Sequence, residues 1–98
     1  MSLTVYLRPE AEADIEEAAT WYEKQREGLG YEFLDEVSKV FETISCDPGM
    51  YPVVHRHTHR ALIHRFPFGI YYRIERKRIV VVAVMHGSRH PKRWQKRT

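Results

Sequence analysis

Histidine and arginine side chains are concentrated in the second half of this sequence, where they could carry out acid–base chemistry on a phosphate. Such chemistry needs a group that exchanges protons near neutral pH and fixed cations that stabilise a pentavalent transition state. We select His86 as the proton-transfer residue and Arg60, Arg73 and Arg89 as the cations. Metal-independent RNA cleavage requires these parts, although basic residues on strands are also common in proteins that only bind.

A second group of residues has types suited to binding a polyanion. The stretch MHGSRHPKRW, residues 85–94, follows an apolar run and contains no acidic residue. Cations beside a tryptophan fit phosphate contact and base stacking, but Trp94 could equally pack the tail back onto the domain. The candidate binding residues are His64, Arg65, Tyr71, His90, Lys92, Arg93 and Trp94.

Three alternating histidines, His55, His57 and His59, would point the same way in an extended chain, as metal ligands could. No carboxylate lies within residues 48–74 to support such ligands, and neighbouring arginines repel a cation. The pattern favours a polar, cationic loop over a metal site. We predict no metal ligand and no cofactor, and no chemistry for the single cysteine, Cys46.

Charge is divided unequally between the two halves of the chain. Residues 1–50 carry 4 basic and 12 acidic side chains, whereas residues 51–98 carry 12 basic side chains and 1 acidic one. The resulting net charges are −8 and +11, which give +3 overall. This asymmetry favours a surface that meets polyanions or an acidic protein, and the alternative is that acidic helices simply pack against basic strands.

The length of 98 residues suits one domain, which we expect to span residues 1–98. No apolar run reaches the length of a membrane helix and the start lacks a signal-peptide layout, so we predict a cytoplasmic protein with no membrane partner. Apolar periodicity predicts the helices and strands. They are a strand at residues 3–8, a helix from Pro9 to Arg26, a second helix after Gly30 that ends before Asp47, an irregular stretch from Ser45 to His59, and strands at Arg60–Phe66, Ile70–Glu75 and Arg78–His86.

These elements predict an α+β fold in which a helical hairpin packs on one face of an antiparallel sheet, with the order β-α-α-β-β-β. A two-residue turn at Arg76 and Lys77 sets which side chains share a face. The predicted helix-facing residues are Ile70, Tyr72, Ile74, Ile79, Val81 and Ala83. The predicted opposite face, a concave cationic surface beside the tail, contains Arg60, Leu62, His64, Tyr71, Arg73, Val84 and His86.

Four segments in this order resemble the RelE/ParE superfamily of toxins from bacterial toxin–antitoxin modules: RPEAEADIEEAATWY, DPGMYP, RALIHRFPFGIYYRI and IVVVAVMHGSRHPKRW. The resemblance covers nearly the whole chain. Within it, one set of residues is similar to members described as plasmid stabilisation proteins, nearer to ParE than to RelE. That set is Arg60, Phe66, Pro67, Tyr71, Tyr72, His86, Arg89, Pro91 and Trp94.

The resemblance implies a growth-inhibiting toxin of a type II module, held inactive by an antitoxin in a hetero-oligomer, with a homodimer as the alternative. Toxins similar to ParE act on DNA gyrase without a catalytic site, whereas relatives similar to RelE cut messenger RNA on the ribosome. His86 matches the RelE-like position at the end of the last strand, and Arg60 or Arg65 is the candidate match for an earlier arginine. The RelE lysines have no counterpart in VVHRHTHR. Enzyme, gyrase inhibitor and inactive interaction module therefore stay open.

Overall fold

The computed structural model describes residues 2–98, in which two long helices pack on one face of a five-stranded sheet. The elements are β1 (Thr4–Leu7), α1 (Pro9–Gln25), α2 (Leu29–Cys46), β2 (Val53–His55), β3 (Thr58–Leu62), β4 (Phe68–Glu75), β5 (Arg78–His86) and the short α3 (Lys92–Gln95). The strand order is β1-β5-β4-β3-β2. Only the β1–β5 pair is parallel, and the other three pairs are antiparallel. The predicted α+β class and helical hairpin are confirmed.

Both long helices lie where the sequence predicted, but α1 ends one residue before Arg26 and α2 begins at Leu29, so that Gly30 is inside the helix. Pro9 occupies the first turn of α1, where its missing N–H costs nothing. The chain reverses at Gly28, whose φ of 87° favours glycine, and the Glu23 carboxylate accepts hydrogen bonds from the N–H groups of Gly28 and Gly30 at 2.8 and 2.9 Å. A Cβ atom on Gly30 would lie 2.7 Å from the Ala19 carbonyl oxygen, so this glycine allows the two helices to approach closely.

The main core lies between the helices and the sheet. Its centre is an aromatic cluster in which the Tyr22, Phe33, Phe66 and Phe68 rings pack with centroids 4.8–6.0 Å apart. Aliphatic side chains from α2 and the central strands complete this core, and each fully buried one stabilises the fold by about 1.5–3 kcal/mol. The fully buried members include Ile44, Ile70, Ile79 and Val81.

The strand β2 was not predicted, because the sequence indicated an irregular stretch there. Residues 53–55 instead form a hairpin with β3 through a tight turn in which Arg56 has a φ of 53°. The Arg60 N–H extends this pairing by donating to the Pro52 carbonyl at 3.0 Å. The sheet therefore has one strand more than expected, at its edge.

The strand β3 is also shorter than the predicted Arg60–Phe66. It ends at Leu62, and the chain turns through a loop in which the Ile63 N–H donates to the Phe68 carbonyl at 2.9 Å. Arg65 in this loop has a φ of 73°, which ends the extended conformation. His64 consequently lies in the loop, not on the predicted sheet face.

A β-bulge in β5 changes which side chains face the helices. Tyr72 pairs with Val81 and Tyr71 pairs with Ala83, so Val82 has no partner on β4. Beyond the bulge the two faces are exchanged relative to the prediction. Val84 lies in the helix-facing core, whereas Ala83 packs on the opposite face, so both of these assignments were wrong.

The bulge lies where the outer edge of β5 loses its strand partner. The pairing with β1 extends only as far as Val81, and beyond it two side chains take over the exposed backbone groups. Asp14 accepts from the Val84 N–H at 3.0 Å, and Arg97 donates to the Val82 carbonyl at 3.2 Å. Arg97 also donates to Asp14 at 2.6 Å, so α1 and the tail together close this part of the edge.

Candidate functional site

A cleft of about 650 Å³ opens between α1 and the segment that follows β5, and it contains three of the predicted site residues. The α1 wall carries Asp14, Glu17 and Trp21, and the opposite wall carries His86, Arg89 and Arg93. Between the walls, the lining is mostly apolar and comprises Ala18, Tyr22, Phe68 and Val84. We call this cleft the α1 cleft.

His86 reaches the α1 cleft because of the bulge in β5. It pairs with Phe68, and the two rings meet edge to face with centroids 5.4 Å apart. Its Nδ1 accepts a hydrogen bond from the Ser88 N–H at 3.0 Å. In the neutral imidazole the proton is therefore on Nε2, which makes that nitrogen a donor and not a base.

Charges of both signs line the α1 cleft. Asp14 is bound by Arg97, whereas Glu17 on the same wall has no ion pair within residues 2–98. On the opposite wall, Arg89 and Arg93 are exposed and have no carboxylate within 4.0 Å in the described chain. A ligand with apolar side chains and charges of both signs would match this lining.

The predicted grouping of His86 with Arg60 and Arg73 on one sheet face is wrong. Arg60 pairs with Tyr71, and Arg73 lies two residues further along β4, so both arginines project from the face without α1 and α2. His86 projects from the helix-covered face instead. Because the bulge at Val82 shifts the end of β5 by one residue, the four candidate catalytic residues lie on two sides of the sheet.

Trp94 packs the tail onto the domain, one of the two alternatives that its sequence allowed. The indole is buried, with 5% exposure, and stacks on the Tyr71 ring with centroids 4.3 Å apart and planes at 18°. The His55 ring contacts the indole edge to face at 5.9 Å. Trp94 and Tyr71 therefore have no free ring face on which a base could stack.

The loop residues His64 and Arg65 lie beside α2 instead of at either surface described above. Arg65 Nη2 donates to Glu32 Oε1 at 2.7 Å, and His64 Nδ1 lies 3.8 Å from Glu36. Hydrogen bonds from Arg65 and Arg26 hold the pKa of the Glu32 carboxyl below its usual value. The remaining candidates, His90 and Lys92, are exposed at the start of the tail, where His90 Nδ1 accepts from the Lys92 N–H at 3.2 Å.

The three alternating histidines do not point the same way, because the turn at Arg56 separates them. His55 contacts Trp94 on the face without α1 and α2, whereas His59 stacks on Tyr72 in the helix-facing layer at 5.1 Å. His57 lies in the turn. Within residues 2–98 no three histidine, cysteine or carboxylate side chains are placed to share a metal ion.

The sequence interpretation missed the α1 wall of the cleft. Asp14, Glu17 and Trp21 were not among the candidate site residues. A signal was present in the sequence, since Trp21 directly precedes Tyr22 in the apolar stripe of Ala11, Ile15, Ala18 and Tyr22. In the structure Trp21 is 58% exposed. Tryptophan is enriched at protein interfaces, so an exposed tryptophan on a helix indicates a binding surface.

The chain matches the family model described as the ParE toxin of type II toxin–antitoxin system, parDE, over residues 5–91. The chain belongs to the ParE toxin family. As a ParE-family protein it is a toxin of a type II toxin–antitoxin system, and this family implies an antitoxin partner. The resemblance inferred from the sequence is thereby confirmed.

A solved structure supports the fold of this ParE-family chain. A chain of the chromosomal ParDE TA system from P. aeruginosa is similar to it with a TM-score of 0.65 and 15% sequence identity, and the match covers 87% of this chain and 96% of that one. No curated protein sequence matches the chain. Within residues 2–98, no helix has the length and apolar character that crossing a membrane requires.

Proposed function

We propose that this ParE-family toxin inhibits growth by binding DNA gyrase, that it does not cleave RNA, and that an antitoxin neutralises it. The observation that carries the proposal is the position of Arg73 and His86 on opposite sides of the sheet. The family supports the choice of gyrase, because toxins similar to ParE act on that enzyme.

The geometry argues against phosphate chemistry by the four candidate catalytic residues. A general acid must lie within about 2.6–3.2 Å of the atom that it protonates, and the stabilising cations must contact the same phosphate. A phosphate held by Arg60 and Arg73 would be separated from His86 by the sheet itself. Among the candidate cations only Arg89 lines the α1 cleft with His86, so a phosphate bound there would meet one of the three.

The α1 cleft instead supports binding to protein. Aromatic residues and arginine are enriched at protein interfaces, and Trp21, Tyr22 and Phe68 provide such a surface beside Arg89 and Arg93. Glu17 adds a negative charge on the opposite wall, which a basic residue of a partner could meet. We assign this cleft to the target, and the antitoxin neutralises the toxin by occupying it.

Two assays on the purified protein test the proposal. In a supercoiling assay, we expect the wild-type toxin to inhibit gyrase, and the variant Arg89→Ala/Arg93→Ala to inhibit it more weakly. The control is Arg76→Ala/Lys77→Ala, which removes the same charge from the exposed β4–β5 turn and should inhibit like the wild type.

In a ribosome-dependent cleavage assay, we expect no cut in messenger RNA. Cleavage that disappears in His86→Ala would overturn the proposal in favour of a RelE-like endonuclease. A protein inert in both assays would overturn it in favour of an inactive homologue. Antitoxin neutralisation is tested by co-expressing the products of the neighbouring open reading frames, one of which should restore growth.

A further inference from the structure

Basic side chains that form no ion pair within the described chain cluster on the sheet face that α1 and α2 do not cover. Here β3, the β2–β3 turn and α3 bring cations together over the outer surface of Tyr71 and Trp94. We call this surface the cationic face. Its residues are Arg56, Arg60, Lys92 and Lys96.

Arg60 is held in place without being neutralised. Its aliphatic stem lies across Gly69, where a Cβ atom would come within 3.2 Å of Arg60 Cγ. Its guanidinium group forms no hydrogen bond or ion pair with the residues that the structure describes. Five other arginines, by contrast, lie within 4.0 Å of a carboxylate: Arg26, Arg65, Arg73, Arg78 and Arg97.

The tail and the β2–β3 turn add charge to the same face. The Trp94 stack on Tyr71 fixes α3 against the sheet, and Lys92 and Lys96 flank the tryptophan two residues to either side. At about 100° per residue, both lysines lie on the solvent side of the helix. The edge contact of His55 with the indole brings the β2–β3 turn, with the exposed Arg56, next to α3.

No carboxylate competes for these cations. Glu75 is the only acidic residue after Asp47, and it lies four residues beyond Tyr71, the β4 partner of Arg60. Its two oxygens are bound by Arg73 at 2.9 Å and Arg78 at 3.3 Å. Glu75 is therefore occupied by Arg73 and Arg78, and the four cations of the cationic face remain available to an external anion.

We infer that the cationic face binds the phosphate backbone of duplex DNA. A duplex fits better than a single strand, because proteins that bind single strands stack bases on exposed aromatic rings, whereas the Tyr71 and Trp94 rings are stacked on each other and buried. The choice of DNA over duplex RNA rests on the proposed function, since gyrase holds duplex DNA. With the α1 cleft on the other side of the sheet, the toxin can contact protein and DNA at the same time.

The binding of a fluorescently labelled DNA duplex, measured by polarisation over a series of salt concentrations, tests this inference. We expect affinity to fall with salt, with a slope of about −0.9 for each phosphate contact in a plot of log K against log salt. Arg60→Gln should weaken binding and reduce the slope by about one. The matched control Arg76→Ala removes one charge from the β4–β5 turn and should leave the slope unchanged.

Three outcomes would overturn the inference: no binding of the duplex at low salt, an equal loss in Arg60→Gln and Arg76→Ala, or tighter binding of single-stranded DNA or duplex RNA. Thermal unfolding of each variant establishes that it is folded. The variant Arg89→Ala/Arg93→Ala separates the two proposals, because it should inhibit gyrase more weakly than the wild type and retain DNA binding. Gyrase inhibition without DNA binding would refute only this inference, and DNA binding without inhibition would refute only the proposed target.

Discussion

Replacing Trp94 with alanine should strongly destabilise the fold, although only four residues follow it in the sequence. Its indole is 5% exposed and forms the outer layer of a second apolar cluster on the sheet face opposite α1 and α2. The cluster also contains Tyr71, Val80, Val82, Ala83 and Met85. If the tail is an integral part of the domain, removing the indole uncovers these side chains to water.

The size of the loss in stability depends on the burial of the indole and on how far α3 can move when the indole is removed. Truncation of a buried tryptophan to alanine costs about 3–5 kcal/mol, and the Tyr71 stack is included in that figure. Because α3 has four residues and lies near the chain end, it can move away instead of leaving a cavity, so we expect about 3 kcal/mol. For a domain of this size that loss lowers the melting temperature by about 12–24 °C.

Urea unfolding followed by circular dichroism measures the free energy directly. The control is Trp21→Ala, since this second tryptophan is 58% exposed and its removal should change stability by less than about 0.5 kcal/mol. Intrinsic fluorescence gives an independent check, because the indole that remains in Trp21→Ala should emit as a buried one. A loss of less than about 1 kcal/mol in Trp94→Ala would refute the conclusion that the tail is part of the core.

Two further predictions concern the helix pair and a buried phenol. Gly30→Ala should lower the free energy of unfolding in urea by about 2 kcal/mol, because its Cβ atom would lie 2.7 Å from the Ala19 carbonyl oxygen. The control Gly49→Ala has open space around it and should be neutral. Equal effects of the two substitutions would contradict this account. Burial raises the pKa of Tyr72 from 10.0 to about 12, helped by Tyr51 and Asp47. The Tyr72 phenol ionises at lower pH in the unfolded chain than in the folded one, so the free energy of unfolding should fall as pH rises from 10.0 to about 12. Tyr72→Phe should flatten this part of the plot of unfolding free energy against pH. Parallel plots for the wild type and the variant would refute the assignment.

The helices and the central hairpin could be predicted because their patterns are unambiguous. The stripe of Ala11, Ile15, Ala18 and Tyr22 fits only a helix, and two glycines mark the reversal that follows. The turn at Arg76 and Lys77 was also predicted correctly, and Lys77 has a φ of 60° there. Local sequence patterns were sufficient to predict a helix or strand wherever one of its faces was clearly polar.

The bulge in β5 could not be predicted from its sequence. The run IVVVAVM is apolar at every position, so a shift of one residue exchanges one apolar side chain for another and leaves no trace in the pattern. That shift moved His86 from the predicted cationic surface to the α1 cleft. The strand β2 was missed for a different reason, since its three residues are too few to show alternation.

The candidate site could be predicted only in part. His86, Arg89 and Arg93 were selected as site residues because charge and position after a buried strand are visible in one segment, although the cleft that they line was not predicted. The acidic wall on α1 is about 70 residues away in the sequence, as the Asp14 contact with Val84 illustrates. Juxtapositions of that kind arise from the tertiary fold, and a single sequence carries no record of them.

The short first strand has a practical consequence for anyone handling this toxin. Because β1 covers only half of β5, a carboxylate and a guanidinium from opposite ends of the sequence substitute for the missing residues. Trimming the chain before Arg97 would uncover a hydrogen-bonding ribbon flanked by valines, and such ribbons recruit identical molecules into aggregates. Truncations that remove Arg97 therefore lower solubility by exposing a strand edge, even where every residue of the α1 cleft wall on α1 is left intact.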